Sequence, residues 1–215
     1  MSSAICIFAL QAIGRIPVMI NYSDEIDDIL FACRISGIKK IYASIKFIDR
    51  IGFSETINVL KNEGIKIIDF DNYDKQISII HRIFSFFASY FPTNFYNLAY
   101  GNHNSEDPAL ILFSQRDSNK KKAVVLSHSN ILANRCQIMA RLDFGAYDHA
   151  INILPLYYGF GFASLIVMSL GGIRSFFYSF PNHYKIVPEI IYDINATIMF
   201  TTNNFLVNYA KTAHP

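Results

Sequence analysis

Along most of the chain, short continuous apolar runs alternate with segments in which apolar residues recur every three or four positions. Ile16–Ile20 reads as a short strand. Ser23 and Asp24 stand where they can cap a following helix, whose first turn carries Glu25, Asp27 and Asp28. Ile26, Ile29, Leu30 and Cys33 then share one helical face, and Gly37 stops the element. A strand at 41–43, a helix at 54–62 ending before Gly64 and a strand at 65–68 continue the rhythm. Residues 73–91 form an aromatic-rich amphipathic pattern, and 92–107 reads as a loop and a possible break between subdomains. Two strands then flank a polar stretch, and a helix at 129–142 turns Ile131, Leu132, Ile138, Met139 and Leu142 inward. Strands at 150–154, 173–178 and 196–200 alternate with helices at 158–170, 184–193 and 203–211. Such alternation predicts a layered α/β domain with largely parallel sheets.

Composition changes this picture little. At 215 residues, 52% apolar and only 17% charged, the chain has enough apolar material for an ordered core. A net charge of +2, without basic and aromatic residues interleaved, argues against a nucleic-acid partner. Cys6, Cys33 and Cys136 are far apart in sequence and read as buried free thiols in a reducing compartment. No basic segment with a cleavage site opens the chain, which argues against a signal peptide. The window 150–173 carries no charge and is long enough to cross a bilayer. Asn152, Pro155, Gly159 and Gly161 divide it, however, so a buried strand, a turn and a buried helix are the better reading. The six histidines are scattered and read as loop or helix-end residues rather than ligands.

The candidate chemistry lies in two places. "ILFSQRDSNKKKAVVLSH", residues 111–128, is strand, polar loop, strand, with three consecutive lysines and no glycine. "NILPLYYGFG", residues 152–161, is a strand followed by a tight aromatic turn. No GxGxxG, Walker loop, GxSxG or HExxH motif is present. Together with "DPALILF", "VVLSHSNILANRCQI" and "PNHYKIVPEIIYDINATIMF", these stretches resemble the adenylate-forming, AMP-binding acyl synthetases. The resemblance is closest to the acyl-carrier-protein synthetase part of bacterial 2-acylglycerophosphoethanolamine acyltransferases. "RIPVMINYS" and "NYAKTAHP" fit the same group, so the likeness covers almost the whole chain, and 183–193 is its most specific part.

The resemblance implies ATP-dependent formation of a fatty acyl-adenylate and transfer of the acyl group to a carrier thiol. ATP with Mg2+, a fatty acid and acyl carrier protein (or coenzyme A) are the ligands it implies. In the family the loop is rich in Ser, Thr and Gly and ends in Pro-Lys-Gly, because backbone N–H groups must close around phosphate oxygens. On that pattern Ser114 and Lys122 are the cofactor-binding residues. Arg116, Asn119 and Ala123 replace glycines and Lys121 replaces the proline, so a solvated basic hairpin is favoured over a working ATP loop. Tyr157, Tyr158, Gly159, Phe160 and Gly161 are placed at the acyl pocket, with Tyr158 where the family has histidine. For Phe160 and Gly161, packing at a strand–helix turn is an equal alternative. The family's later acidic motif, ribose-binding aspartate, hinge and small C-terminal domain with its lysine have no counterpart before Pro215, and the start also looks clipped. A fragment inactive alone, one chain of a split synthetase completed by a partner chain, and a non-catalytic remnant are therefore all open. A small integral membrane protein is the weakest reading. A cytoplasmic place is expected, with peripheral attachment to the inner membrane as its variant.

Overall fold

Two parallel strands, Lys40–Ala43 (β1) and Lys66–Asp69 (β2), pair in register from Lys40 opposite Lys66 to Ala43 opposite Asp69. They belong to a computed structural model that describes residues 2–72, 77–101, 104–114 and 121–213. The chain divides into two compact units, Met1–Val125 and Leu126–Pro215.

In the first unit, helices Ile26–Ile35 (α2), Ile45–Arg50 (α3) and Ser54–Asn62 (α4) accompany β1 and β2, after an opening helix Ser2–Ala12 (α1). Ile29, Cys33, Ile48, Ile57, Leu60 and Ile65 form their shared core. Gly37, at φ 62°, provides the left-handed residue that ends α2. The expected caps of α2 do not act as caps. The helix begins after Glu25, which makes no side-chain cap bond, while Asn21 Oδ1 accepts the Ser23 N–H and Asn21 Nδ2 donates to Asp24. The expected strand at 16–20 shrinks to one parallel bridge, Val18 to Ile111, since only Met19 N–H and the Pro17 carbonyl reach the neighbouring strand. That neighbour is Pro108–Phe113 (β3), paired with Ala123–Ser127 (β4).

The aromatic segment contains helix Ile79–Ala88 (α5), shorter than the 73–91 pattern, whose residues 73–76 lie outside the described residues. The expected loop after it is in part a helix, Pro92–Tyr100 (α6), with proline at its first turn, where a missing N–H costs nothing. Phe95 of α6 meets Phe84 of α5 edge to face at 5.1 Å.

The second unit is built on a three-stranded parallel sheet of His149–Asn152 (β5), Arg174–Phe177 (β6) and Ile198–Phe200 (β7), in the order β6-β5-β7. Helices His128–Met139 (α7), Gly159–Leu170 (α8), Ile186–Asp193 (α9) and Asn203–Thr212 (α10) connect and cover it. β5 is central, and Ala150, Ile151 and Asn152 are buried in succession, without alternation. Val167, Met168, Ala150, Ile173 and Phe200 pack as one cluster; Ile151, Ile153, Leu154, Val187 and Tyr209 form another. Ser127 caps α7 in a reciprocal box with Asn130. Ile138 and Met139 pack inward as expected, but Leu132 and Leu142 are exposed. Ile138 and Met139 are the α7 side chains that pack on the Phe144 and Val167 cluster, and the helix ends at Met139 rather than at 142, so Leu142 lies past it. The uncharged window resolves into β5, a turn and the twelve-residue α8, and no helix among the described residues is long and apolar enough to cross a membrane. Cys33 is buried, Cys6 half-buried and Cys136 exposed on α7, so the expectation of buried thiols fails for Cys136.

Candidate functional site

The first candidate is the mouth of the loop between β3 and β4. β3 is driven inward by Ala109, Leu110 and Leu112, which fixes where Ser114 emerges. There the Ser114 N–H donates to the Lys122 carbonyl (2.9 Å), and the Lys122 N–H donates to Ser114 Oγ (3.2 Å). Both polar groups of Ser114 thus close the loop on itself. Lys121 turns away from solvent, its side chain only 7% exposed, and pairs with Asp24 and, at 3.5 Å, with Asp28. Burial pushes its ammonium below the ordinary lysine range. The two carboxylates act in the opposite sense and balance its charge. Asn195 is the only non-glycine among the described residues with positive φ, so Ser114, Lys121, Lys122 and Ala123 all hold ordinary backbone conformations. Arg116 and Asn119 lie outside the described residues. What is described therefore offers a triphosphate one exposed lysine, Lys122, and no ring of open amides.

The second candidate follows β5. Strand order β6-β5-β7 means the chain leaves β5 to one side and crosses back to the other. The carboxyl ends of β5 and β7 thus flank a topological switch point, where open α/β sheets place their ligands. A buried polar network holds the turn there. Asn152 Nδ2 donates to Ser164 Oγ (2.9 Å) and more weakly to the Gly161 carbonyl (3.5 Å), while Asn152 Oδ1 accepts the Leu154 N–H (3.1 Å). Ser164 Oγ donates in turn to the Gly161 carbonyl (2.8 Å). Both side chains are buried, so each bond is made where water cannot replace it. Gly161 has no room for a side chain: a Cβ there would lie 2.2 Å from the Pro155 carbonyl oxygen. Tyr157 and Tyr158 are half-buried with ring centres 4.5 Å apart, Gly159 opens α8, and Phe160 meets Phe200 at the end of β7 (6.1 Å). The result is an aromatic-walled shelf, apolar in character and rigidly supported.

The segment 181–193 is tied beneath this sheet. Tyr209 of α10 donates to the Pro181 carbonyl (2.6 Å), and Thr212 donates to the Tyr184 carbonyl (2.6 Å). His183 Nδ1 is bonded to the Tyr178 hydroxyl (2.7 Å), and its ring stacks on Phe180.

The AMP-binding enzyme family model matches residues 2–215. The chain belongs to the AMP-binding enzyme family. Among solved structures it is similar to a putative long-chain-fatty-acid CoA ligase from Rhodopseudomonas palustris, at 15% identity and TM-score 0.75, covering 99% of this chain and 50% of that one. It is also similar to the O-succinylbenzoate coenzyme A synthetase of Bacillus subtilis in complex with AMP, at 15% identity and TM-score 0.75, covering 100% and 49%. The same synthetase in complex with ATP and magnesium ion matches at TM-score 0.73 and 15% identity, covering 99% and 39%. At these identities the likeness shows the fold. The chain spans about half the length, or less, of the structures it matches.

Within this AMP-binding fold, Tyr157 and Tyr158 end the turn after β5, Gly159, Phe160 and Gly161 open α8 directly behind them, and Ser114 and Lys122 meet at one loop mouth. Sequence reasoning did not single out Asn152 and Ser164 as the supports of the turn, nor Asp24 and Asp28 as the partners of Lys121. An asparagine and a serine inside an otherwise apolar, uncharged window were the available signal for the first pair.

Proposed function

We propose that this chain is part of an ATP-dependent fatty-acid-activating ligase of the acyl-carrier-protein type, and that alone it does not carry out the reaction. In that reaction a carboxylate oxygen bonds to the α-phosphorus of ATP and pyrophosphate leaves. A carrier thiol then takes the acyl group and AMP leaves. On this reading the shelf Tyr157–Gly161 faces the acyl chain, while Ser114 and Lys122 are what persists of the phosphate loop. ATP, brought with Mg2+, meets a loop that holds it weakly, since attraction to a lysine does not align a leaving group.

The observation that carries the inactivity is the closed loop mouth: the Ser114 hydroxyl accepts the Lys122 N–H, and Lys121 is engaged by Asp24 and Asp28. The resemblance of 183–193 supports the acyl-carrier-protein type, phospholipid acyl recycling as its setting, and a peripheral place at the inner membrane. A complementary synthetase chain is the partner proposed for it.

ATP titration calorimetry and fatty-acid-dependent ATP–pyrophosphate exchange test the reading. The purified chain is expected to show neither. Exchange by the chain alone would refute the inactivity. Exchange that appears only on adding the complementary polypeptide would establish a split synthetase, whereas its continued absence would favour a remnant.

A further inference from the structure

We propose that Asp24 and Asp28 are an autoinhibitory latch on the loop after β3: they hold Lys121 in the place of a phosphate, and releasing them opens the mouth to a polyphosphate anion. The inference rests on the reading of Ser114 and Lys122 as the remnant of a phosphate loop. It adds that the closure is reversible, because ion pairs hold it as well as the loss of glycines. Asp24 precedes α2 and Asp28 lies in its first turn, while Lys121 stands just before β4. The carboxylate of Asp24 is set in position independently of the lysine. Asn21 Nδ2 donates to its Oδ1 (2.7 Å), which leaves Oδ2 to accept from Lys121.

In sequence the basic run looks like an attractor of anions, but at the mouth its charge is cancelled. Among the described residues there, Lys121 and Lys122 bring two positive charges and Asp24 and Asp28 bring two negative ones, so the four sum to zero. A neutral mouth does not draw a polyphosphate toward it. One carboxylate would balance the Lys121 ammonium. The second, at 3.5 Å, adds a negative charge beside it that repels phosphate oxygens. Lys121 is nearly buried and both carboxylates are largely so, which leaves these forces less screened than those of a surface pair.

A tie that served only to close the loop would need less. Two hydrogen bonds between Ser114 and Lys122 already join its ends. Burying charges costs desolvation that an apolar contact avoids, so an ion cluster is a modest fastening, but one that a competing ion can release. An ammonium that loses its carboxylates in a nearly buried position turns out to water, and the four-carbon stem of lysine is flexible enough to carry it there. Freed in this way, Lys121 adds a second cation to the exposed Lys122. A polyphosphate is then held by charge without being aligned for reaction, so the opened chain gains an anion and not the chemistry.

In the full chain, Asp24→Asn with Asp28→Asn removes the latch at nearly constant shape and keeps an oxygen for Asn21. Calorimetric titration with inorganic tripolyphosphate should show an affinity about tenfold or more above that of the unaltered chain. Hydrogen exchange at the Ser114 and Lys122 amides, which close the mouth, should quicken by about tenfold or more as well. Asp28→Asn alone keeps the Asp24 pair, should give a smaller gain, and carries the test if the double variant does not fold. Glu25→Gln with Asp27→Asn removes the same number of charges nearby, neither of them paired with Lys121 among the described residues, and should leave the affinity unchanged. Equal affinity for the unaltered chain and the latch variants would overturn the proposal. So would a gain matched by the Glu25 and Asp27 control, or one that survives the addition of Lys121→Met. Tripolyphosphate binding without fatty-acid-dependent exchange supports the latch and leaves the inactivity standing. Exchange by the unaltered chain would refute the inactivity, and the tripolyphosphate affinities would still decide the latch.

Discussion

The loop after β3 and the turn after β5 each follow the carboxyl end of a strand, yet they are held by opposite means. The turn relies on close backbone approach and a fully buried network: Gly161 against the Pro155 carbonyl, and Asn152 bonded to Ser164 and to the Leu154 N–H. The loop mouth is closed by two hydrogen bonds around Ser114 and by an ion cluster around Lys121. A turn whose shape is set by main-chain contact keeps its glycine whether or not it binds anything, because the fold itself fails without it. A loop whose glycines serve only a ligand can lose them and still be tied off by a serine and a lysine. A turn fixed by main-chain contact at a glycine and a loop mouth closed without one are therefore two different ways of holding the end of a strand.

The largest effect should come from Gly161→Ala. Its Cβ would meet the Pro155 carbonyl oxygen at 2.2 Å and the carbonyl carbon at 2.9 Å, and backbone atoms cannot step aside as a side-chain tip can. Relieving the clash means shifting α8 or the 154–158 turn, at about 3 kcal/mol or more. Urea unfolding followed by circular dichroism reads it directly. A midpoint equal to that of the unaltered chain would show that the turn is not held by this contact, and the contrast with the loop would collapse.

Much of this fold was legible in the sequence, for reasons particular residues make plain. β5 and α8 announced themselves because Asn152, Pro155 and Gly159 punctuate a charge-free run. Helix α4 matched its pattern at both ends, Ser54 and Asn62, since its inward Ile57 and Leu60 sit at helical spacing on a polar background. Failures arose where tertiary contact overrides local signal. Asp24 looks like a cap, but Asn21 and Lys121 engage its carboxylate. Pro92 looks like the start of a loop, but Phe95 packing on Phe84 sustains a helix behind it. Leu132 obeys the inward period yet is exposed, and Leu142 lies beyond the end of the helix at Met139. In the site, residue types at the turn and the loop were readable. Asp28 as a partner of Lys121 was not, because no local pattern links residues so far apart in sequence.

A middle-sized effect is expected from Lys121→Met. The ammonium sits between two carboxylates that are themselves only 18% and 22% exposed, and removing it leaves like charges facing each other. Partial solvent access moderates the penalty to about 1–2 kcal/mol, whereas Lys122→Met, on an exposed side chain, should stay within about 0.5 kcal/mol. Chemical denaturation of both variants at neutral pH sharpens the comparison, since it separates the lysine that ties the loop from the one that faces solvent. Equal stability of the two variants would mean that the ion cluster does not close the loop.

The smallest effect concerns what supports the turn from below. Tyr209 packs with Ile153 and Leu154 and donates its hydroxyl to the Pro181 carbonyl. Tyr209→Phe keeps the ring and leaves that carbonyl unpaired, at about 1 kcal/mol near neutral pH. Burial, with a smaller contribution from Tyr184, pushes the Tyr209 phenol up to about 12. An unfolded tyrosine loses its proton near about pH 10, so the folded chain binds the proton more tightly. This part of the stability is complete below the unfolded value and drains away as pH rises from there through the folded one. The unaltered chain should therefore lose stability along that alkaline limb more steeply than Tyr209→Phe, and the two curves should converge as the limb is descended. Parallel curves in alkaline urea titrations would mean that the phenol is not held protonated by the fold, and that Tyr209 supports the turn through apolar packing alone.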